Sequence, residues 1–348
     1  MYKLSICIPT YNRAKQLANC LQSIIAIKNN SKLNFEVCVS DNCSTDDTEE
    51  VVRRAQKQMA IKYQKNESNL GIPRNFLNVI DMAEGEFAWL IGDDDLLLPT
   101  TIDKLYLIFN EHPHVDFLYI NSFHLTTEFV FSFPQPFDTA NLPNDMKPFS
   151  SFKTSGEMNF MDLVNPKISF DFLGGMFLSV FRRQNWISNV NVLDKEAISD
   201  LRTFSHFDNT FPHVKIFANA FANSRACFHA DPLSVCLTGA REWAPMGPLV
   251  MSVRLVEALE EYKKNGLPYL RYLYCKNYAL NNAIPDFGSM IYYKKTGLEY
   301  INLVRIVLNS CLYPNFYLSF FFFLHRKIKI LASGILKNLK PPTKRLTD

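Results

Sequence analysis

The chain has 348 residues, long enough for two domains or for one large domain with an annex. Its 47% hydrophobic and 20% charged residues are those of a globular protein and exclude a disordered one. A net charge of +3 gives no sign of a nucleic-acid binder, and eight cysteines without a CxxC pair suggest neither a zinc site nor a disulfide framework, so reduced thiols in a cytoplasmic protein are expected.

The chain enters at once into a strand-like run, "LSICI" (4–8), with no secretory h-region before it. A helix follows, with Leu17, Cys20, Leu21, Ile24 and Ile25 at helical spacing. "FEVCVS" (35–40) reads as a second strand, and "STDDTEEVVRRAQKQ" opens with the hydroxyl and acidic residues of a helix N-terminus. "IKYQ" (61–64) is a third, weaker strand, and "PRNFLNVIDMAEG" is a helix that starts on Pro and stops at Gly85. "EFAWLI" (86–91) and "VDFLYIN" (115–121) are further strands, with a helix from Thr101 to Glu111 between them. This alternation predicts an α/β fold with a parallel, doubly covered sheet. From Phe123 to Ile168 the pattern predicts long loops. "FDFLGGMFLSVFRRQNW" (170–186) resumes strand character, "FDNTFPHVKIFANAFANS" (207–224) reads as a helix, and "ACFHADPLSVCL" (226–237) as an edge strand. From Pro248 onward helices take over, and no apolar run reaches the ~18 residues of a spanning helix.

Four polar clusters, "PTYNR" (9–13), "SDNCS" (40–44), "NESNLGIPRN" (66–75) and "GDDD" (92–95), fall at the carboxyl ends of the first four strands, where open α/β sheets bind ligands. The acidic triplet suits a hard divalent cation completed by phosphate oxygens. An EF-hand loop fails, because its required Gly is Leu98 and its closing Glu is Lys104; an aspartyl-phosphate site fails, because Leu97 stands at the Thr position.

In "SICIPTYNR", "VSDNCSTDDT", "NLGIPRNFLNVIDMAEGEFAWLIGDDDLLLP" and, more loosely, "FLGGMFLSVFRRQNW", the sequence resembles family 2 glycosyltransferases of the GT-A fold. It is most similar to bacterial members that build O-antigens or capsules, abequosyltransferase-like ones included. The resemblance covers the first ~100 residues best and implies a Rossmann-like, mostly parallel sheet with a helical C-terminal region. It also implies transfer of a sugar from a nucleoside-diphosphate sugar, assisted by Mn²⁺ or Mg²⁺, with inversion. Pro9, Thr10, Tyr11 and Arg13 would line the donor pocket; Asp41 would contact the base; Asn69 and Arg74 would lie near base or diphosphate. Asp93 would contact the ribose, Asp94 and Asp95 would form the metal site, and Arg241 would bind diphosphate. One departure is that the first acid of the family's DADD pattern is Gly92 here. The family's "ED" base pair is also absent. His213 or Asp208 would then serve as base, with His206 and His229 as further candidates.

A sugar nucleotidyltransferase would want a Gly-rich loop after the first strand, and "PTYNRAKQ" has no Gly. A non-catalytic binding module of the same fold is the remaining alternative. The expected division is 1–240 for the nucleotide-sugar-binding and catalytic domain and 241–348 for a helical region. In the latter, seven Lys or Arg fall between Arg326 and Arg345 without an acid, and Ile328, Leu331, Ile335 and Leu339 recur at helical spacing. Such a segment predicts peripheral contact with the inner face of the cytoplasmic membrane, fitting a saccharide or lipid-linked oligosaccharide acceptor.

Overall fold

The β-branched run Leu4–Thr10 (β1) is buried along its whole length, as an apolar strand covered on both faces must be. The computed structural model describes residues 2–28, 32–169, 174–239 and 243–338, the stretch 330–338 by backbone alone. Helix α1 (Ala14–Lys28) lays Leu17, Cys20, Leu21 and Ile24 into the core. Each such side chain contributes about 1.5–3 kcal/mol by leaving water, and Leu21→Ala would cost about 2–5 kcal/mol. Strand β2 (Phe35–Asp41) pairs with β1 in parallel, and helix α2 (Thr48–Gln56) carries Glu49 and Glu50 in its first turn and Arg53 and Arg54 in its last, ion-paired four residues apart. Strand β3 (Ile61–Lys65) pairs with β2, and helix α3 (Ile72–Asp81) starts at Gly71, whose φ of 83° only glycine adopts readily. Strand β4 (Phe87–Leu90) returns beside β1 in parallel.

Then come the two-residue β5 (Leu96–Leu97), α4 (Thr101–Glu111) and the long β6 (Phe117–Thr126). The loop-rich stretch holds α5 (Thr127–Phe131), β7 (Lys147–Pro148) and β8 (Gly156–Asn159). Strand β9 (Ser179–Arg182) leads into the short helices α6 (Arg183–Ile187), α7 (Lys195–Ser199) and α8 (Phe207–Thr210), and then α9 (Pro212–Ala220). After β10 (Arg225–Thr238), helices α10 (Gly247–Leu249), α11 (Leu255–Lys264), α12 (Tyr269–Ala279), α13 (Ala283–Tyr292), α14 (Leu303–Ser310) and α15 (Pro314–Asn338) follow.

The ten strands of the described residues form one sheet, eight of them along the path β3-β2-β1-β4-β9-β6-β10-β5, with β7 paired to β6 and β8 to β10. It is mixed rather than parallel throughout, because β9 runs antiparallel between β4 and β6. A parallel neighbour needs a crossover that returns the chain to the opposite edge; between β6 and β9 the described residues form short strands and single helical turns. The segment 226–237 is not an edge strand. β10 pairs with β6 along one side, and β8 and β5 cover its other side, the register shifting around Pro232. One buried apolar cluster runs from Leu4 through the sheet to Phe287 and Phe316, so the C-terminal helices share their core with the sheet.

Candidate active site

The acidic triplet lies in the crossing from β4, in the middle of the sheet, to β5 at its far end. The apolar flanks are therefore buried while the turn between them passes over the carboxyl ends of the strands. Its charge is met by Arg13: Nη2 lies 2.6 Å from Asp94 Oδ2 and Nε lies 3.1 Å from Asp93 Oδ1. Asp93 is buried and accepts a hydrogen bond from the Thr10 hydroxyl at 2.8 Å. Burial pushes its pKa up to about 7, against the opposing pull of Arg13. Asp95 is also buried, and its Oδ2 accepts from the Gly92 amide at 2.7 Å, closing the turn. A Cβ on Gly92 would stand 2.7 Å from Asp94 Oδ1 and 3.1 Å from Asp95 Oδ2, so a side chain here would require those carboxylates to shift.

The four polar clusters are tied to one another. The Asn12 amide donates to Ser44 Oγ and the Ala14 amide to Asp46, each across to the loop after β2. Asn42 Nδ2 donates to Asn69 Oδ1 at 2.8 Å, joining that loop to the one after β3. Asn75, buried in the first turn of α3, donates to the carbonyls of Ser40 and Thr10 and accepts from the Ser40 hydroxyl. Asp41 is buried: Oδ1 accepts from the Ser44 amide and Oδ2 from the Tyr63 hydroxyl, both at 2.8 Å. Burial and the Asp41 carboxylate together push the Tyr63 pKa upward, so the phenol remains a neutral donor. Pro9 and Thr10 are buried at the end of β1, whereas Tyr11, Asn69 and Arg74 are exposed on the rim. Sequence reasoning missed Ser44, Tyr63 and Asn75. Ser44 and Asn75 lay unnamed within the polar clusters 40–44 and 66–75, while Tyr63 sat in the third strand without a signal.

Of the base candidates, Asp208 sits apart from this rim in sequence but on α8, which packs against α3. Leu201, before α8, lies over Gly71, 3.3 Å from where a Cβ would stand. Asp208 is buried in α8, where Oδ2 accepts from Lys215 Nζ and from the Asp194 amide, both at 2.7 Å. Its other oxygen makes no hydrogen bond among the described residues. His213 is buried one helix later, edge-on to Phe211 and Phe217. Burial lowers its pKa to about 4, the Gly174 backbone partly opposing the shift. α9 turns His213, one of the two base candidates, into the aromatic core. His206 is exposed at the start of α8, with Nε2 3.3 Å from Asp200 Oδ2. Arg241 lies outside the described residues.

The donor set fits a hard cation in part. Asp94 offers carboxylate oxygen and already faces a cationic group, yet no group of three or more His, Cys, Asp or Glu among the described residues encloses a metal. A cation held here would need ligand oxygens to complete its shell.

Comparison with known proteins gives this geometry its context. Residues 5–160 match the family model described as Glycosyl transferase family 2. The chain is 28% identical over 255 residues to abequosyltransferase RfbV of Salmonella typhimurium, covering 67% of this chain and 66% of the relative. It is 39% identical over 118 residues to the GalNAc(5)-diNAcBac-PP-undecaprenol beta-1,3-glucosyltransferase of Campylobacter jejuni, covering 33% of this chain and 37% of that one. The alignments thus span less than two thirds of these relatives' lengths. In fold, residues 1–349 of Staphylococcus aureus TarS in complex with UDP-GlcNAc superpose with a TM-score of 0.57 at 20% identity, covering 80% of this chain and 72% of that one. The mixed, helix-flanked sheet is a GT-A fold, and residues 5–160 carry the match to glycosyl transferase family 2.

Proposed function

We propose that this chain is a glycosyltransferase that moves a sugar from a nucleoside-diphosphate sugar to a hydroxyl of a saccharide acceptor. The observation that carries the reading is the network joining Thr10 and Arg13 to the acidic triplet beside Asp41, on the carboxyl-end rim of the sheet. Each Asp41 oxygen accepts one bond already, and a carboxylate oxygen has room for a second, so a base N–H can be read without undoing the turn. Tyr11, Arg13 and Arg74 are reachable from solvent around it and suit a base and a diphosphate. A divalent cation, Mn²⁺ or Mg²⁺, would be held by Asp94 and the diphosphate, with Asp95 shaping the turn. When bound it supplies neutralisation of the charge on the departing diphosphate.

In the transfer, the acceptor oxygen bonds the anomeric carbon while the carbon–oxygen bond to the diphosphate breaks, its electron pair leaving with the nucleoside diphosphate. The acceptor proton passes to a base, and attack opposite the leaving group inverts the centre. We assign the base to Asp208, because two donors fix one of its oxygens and leave the other open. The test is a transfer assay over a panel of nucleotide sugars with Mn²⁺ or Mg²⁺. Asp208→Asn should lower kcat by about 10²–10⁴-fold with little change in donor affinity. No transfer and no donor hydrolysis with any donor would leave a binding module of the same fold; an unaltered kcat in the variant would move the base elsewhere.

The acceptor, in this reading, is a lipid-linked glycan in surface-polysaccharide synthesis, met at the inner face of the cytoplasmic membrane. No single helix among the described residues is long and apolar enough to cross a membrane; α14 and Pro314–Lys329 would do so only together, across a 100° bend. On α15 Phe316 and Ser319 face inward, Phe316 against Phe287. Tyr317, Phe321, Leu324 and Ile328, spaced by four, three and four, are exposed on another side. His325, Arg326, Lys327 and Lys329 lie among them, and no Asp or Glu occurs between Glu299 and Asp348. An all-basic helix repels a second copy of itself, whereas an anionic lipid surface complements it. The continuation at Leu331, Ile335 and Leu339 has no described side chains.

A further inference from the structure

We infer that Arg13 is a resident counter-cation with two positions, one on the Asp93–Asp94 carboxylates in the ligand-free protein and one on the donor's diphosphate. This rests on the reading above that a nucleoside diphosphate and a divalent cation share the rim.

Three successive carboxylates, two of them buried, cannot stand without a compensating charge. Among the described residues, Arg13 is the cation ion-paired to both Asp93 and Asp94. It reaches them from the turn after β1, where Asn12 takes a φ of 51° and aims the chain back over the strand ends. Asp94 Oδ2 lies 2.6 Å from Arg13 Nη2, so a divalent cation held by either oxygen of this carboxylate would stand close to the guanidinium. A doubly charged ion and a guanidinium repel at that range, so metal entry requires Arg13 to leave. Its side chain is 28% exposed and can swing toward solvent, whereas Asp93 stays pinned by Thr10.

The departing guanidinium needs a new anion, and its planar fork matches phosphate oxygens. The diphosphate that arrives with the metal is that anion. Metal alone therefore displaces Arg13 uncompensated, and metal with nucleotide does so with compensation. The carboxylates are kept neutralised until both ligands are present, which couples the two bindings through one side chain.

The test is Mn²⁺ titration followed by the electron paramagnetic resonance signal of free Mn²⁺, with and without UDP or GDP, on the full chain and on Arg13→Gln and Arg13→Lys. Coupling of this kind is typically about 5- to 150-fold. Arg13→Gln should bind Mn²⁺ alone about tenfold more tightly than the unaltered chain, and should lose most of the gain that nucleotide brings. Metal-free Arg13→Gln should also melt at lower temperature and be restored by Mn²⁺. Arg13→Lys keeps the charge but not the fork, so its Mn²⁺ affinity should fall between the two, and it carries the test if the glutamine variant does not fold. Equal Mn²⁺ affinities in all three proteins would overturn the exchange while leaving a metal-assisted transferase intact. Absence of Mn²⁺ binding in every protein, with and without nucleotide, would remove the metal from the rim and the exchange with it.

Discussion

Asp41→Ala tests whether the nucleotide loop is built on a buried carboxylate. The substitution removes an acceptor that is fully buried and holds the Ser44 amide and the Tyr63 hydroxyl, each at 2.8 Å. A hydrogen bond to a charged group is worth about 1.5–3 kcal/mol, and a buried donor left without a partner costs about 1–3 kcal/mol. Water can reach the half-buried Tyr63 more easily than the buried Ser44 amide, so the sum is discounted. The loss also spreads, because Ser44 Oγ accepts from the Asn12 amide in the loop after β1. About 3–5 kcal/mol of folding stability should go, against about 1–3 kcal/mol for Tyr63→Phe, which removes one donor and leaves Asp41 Oδ2 without its partner. Because both substitutions break the same bond, a double-mutant cycle should give a coupling of about 1–2 kcal/mol. Urea unfolding of the four proteins at pH 7 measures this. In the transfer assay the loss of a contact made equally in ground and transition states should raise KM and spare kcat. Asp41→Ala within about 0.5 kcal/mol of the unaltered chain, or simple additivity in the cycle, would refute the argument that this carboxylate holds the loop.

Asp94→Asn should reduce transfer by about 10³-fold, several kcal/mol of lost charge stabilisation, with an unaltered circular dichroism spectrum; near-normal activity would sink Asp94 as the metal ligand. His213 is held neutral by burial, with a folded pKa of about 4 against about 6.5 unfolded. The unfolded chain takes the proton first, so stability is complete above about pH 6.5 and falls by about 3 kcal/mol as pH drops toward 4. In His213→Leu that slope should flatten, and identical slopes would show that the imidazole does not titrate in this window. Full-length protein should float with anionic vesicles at low salt and detach as salt rises. Phe321, Leu324 and Ile328 replaced together by Ser should abolish flotation; this is a cleaner test than truncation near Cys311, because Phe316 and Ser319 are part of the core. Equal flotation of both proteins would reject α15 as the anchor.

The elements that local pattern can encode were legible in the sequence. α4 runs from Thr101 to Glu111 as its periodicity predicts, and β1 to β4 lie within a residue or two of their apolar runs. The polar clusters at their ends also fall on one rim, since parallel strands put all their carboxyl ends on the same side. Other features depend on partners distant in sequence. The antiparallel β9 and the interior β10 follow from where the chain re-enters the sheet after a long irregular excursion, which carries no periodicity of its own.

The site divides in the same way. Three adjacent acids between apolar runs announce a need for positive charge or for water, and the sequence by itself determined no more than that. Which cation meets them in the folded chain was decided by tertiary structure alone, because Arg13 is 81 residues from Asp94 and reaches it only through the pairing of β1 with β4. Likewise the letter at 213 fixes an imidazole and its intrinsic pKa. Only the rotation of α9 decides that Phe211 and Phe217, and not water, surround it. Charge and apolar period are properties of neighbouring residues and can be read along the chain; solvent exposure and pairing across the sheet arise from the packing of distant segments.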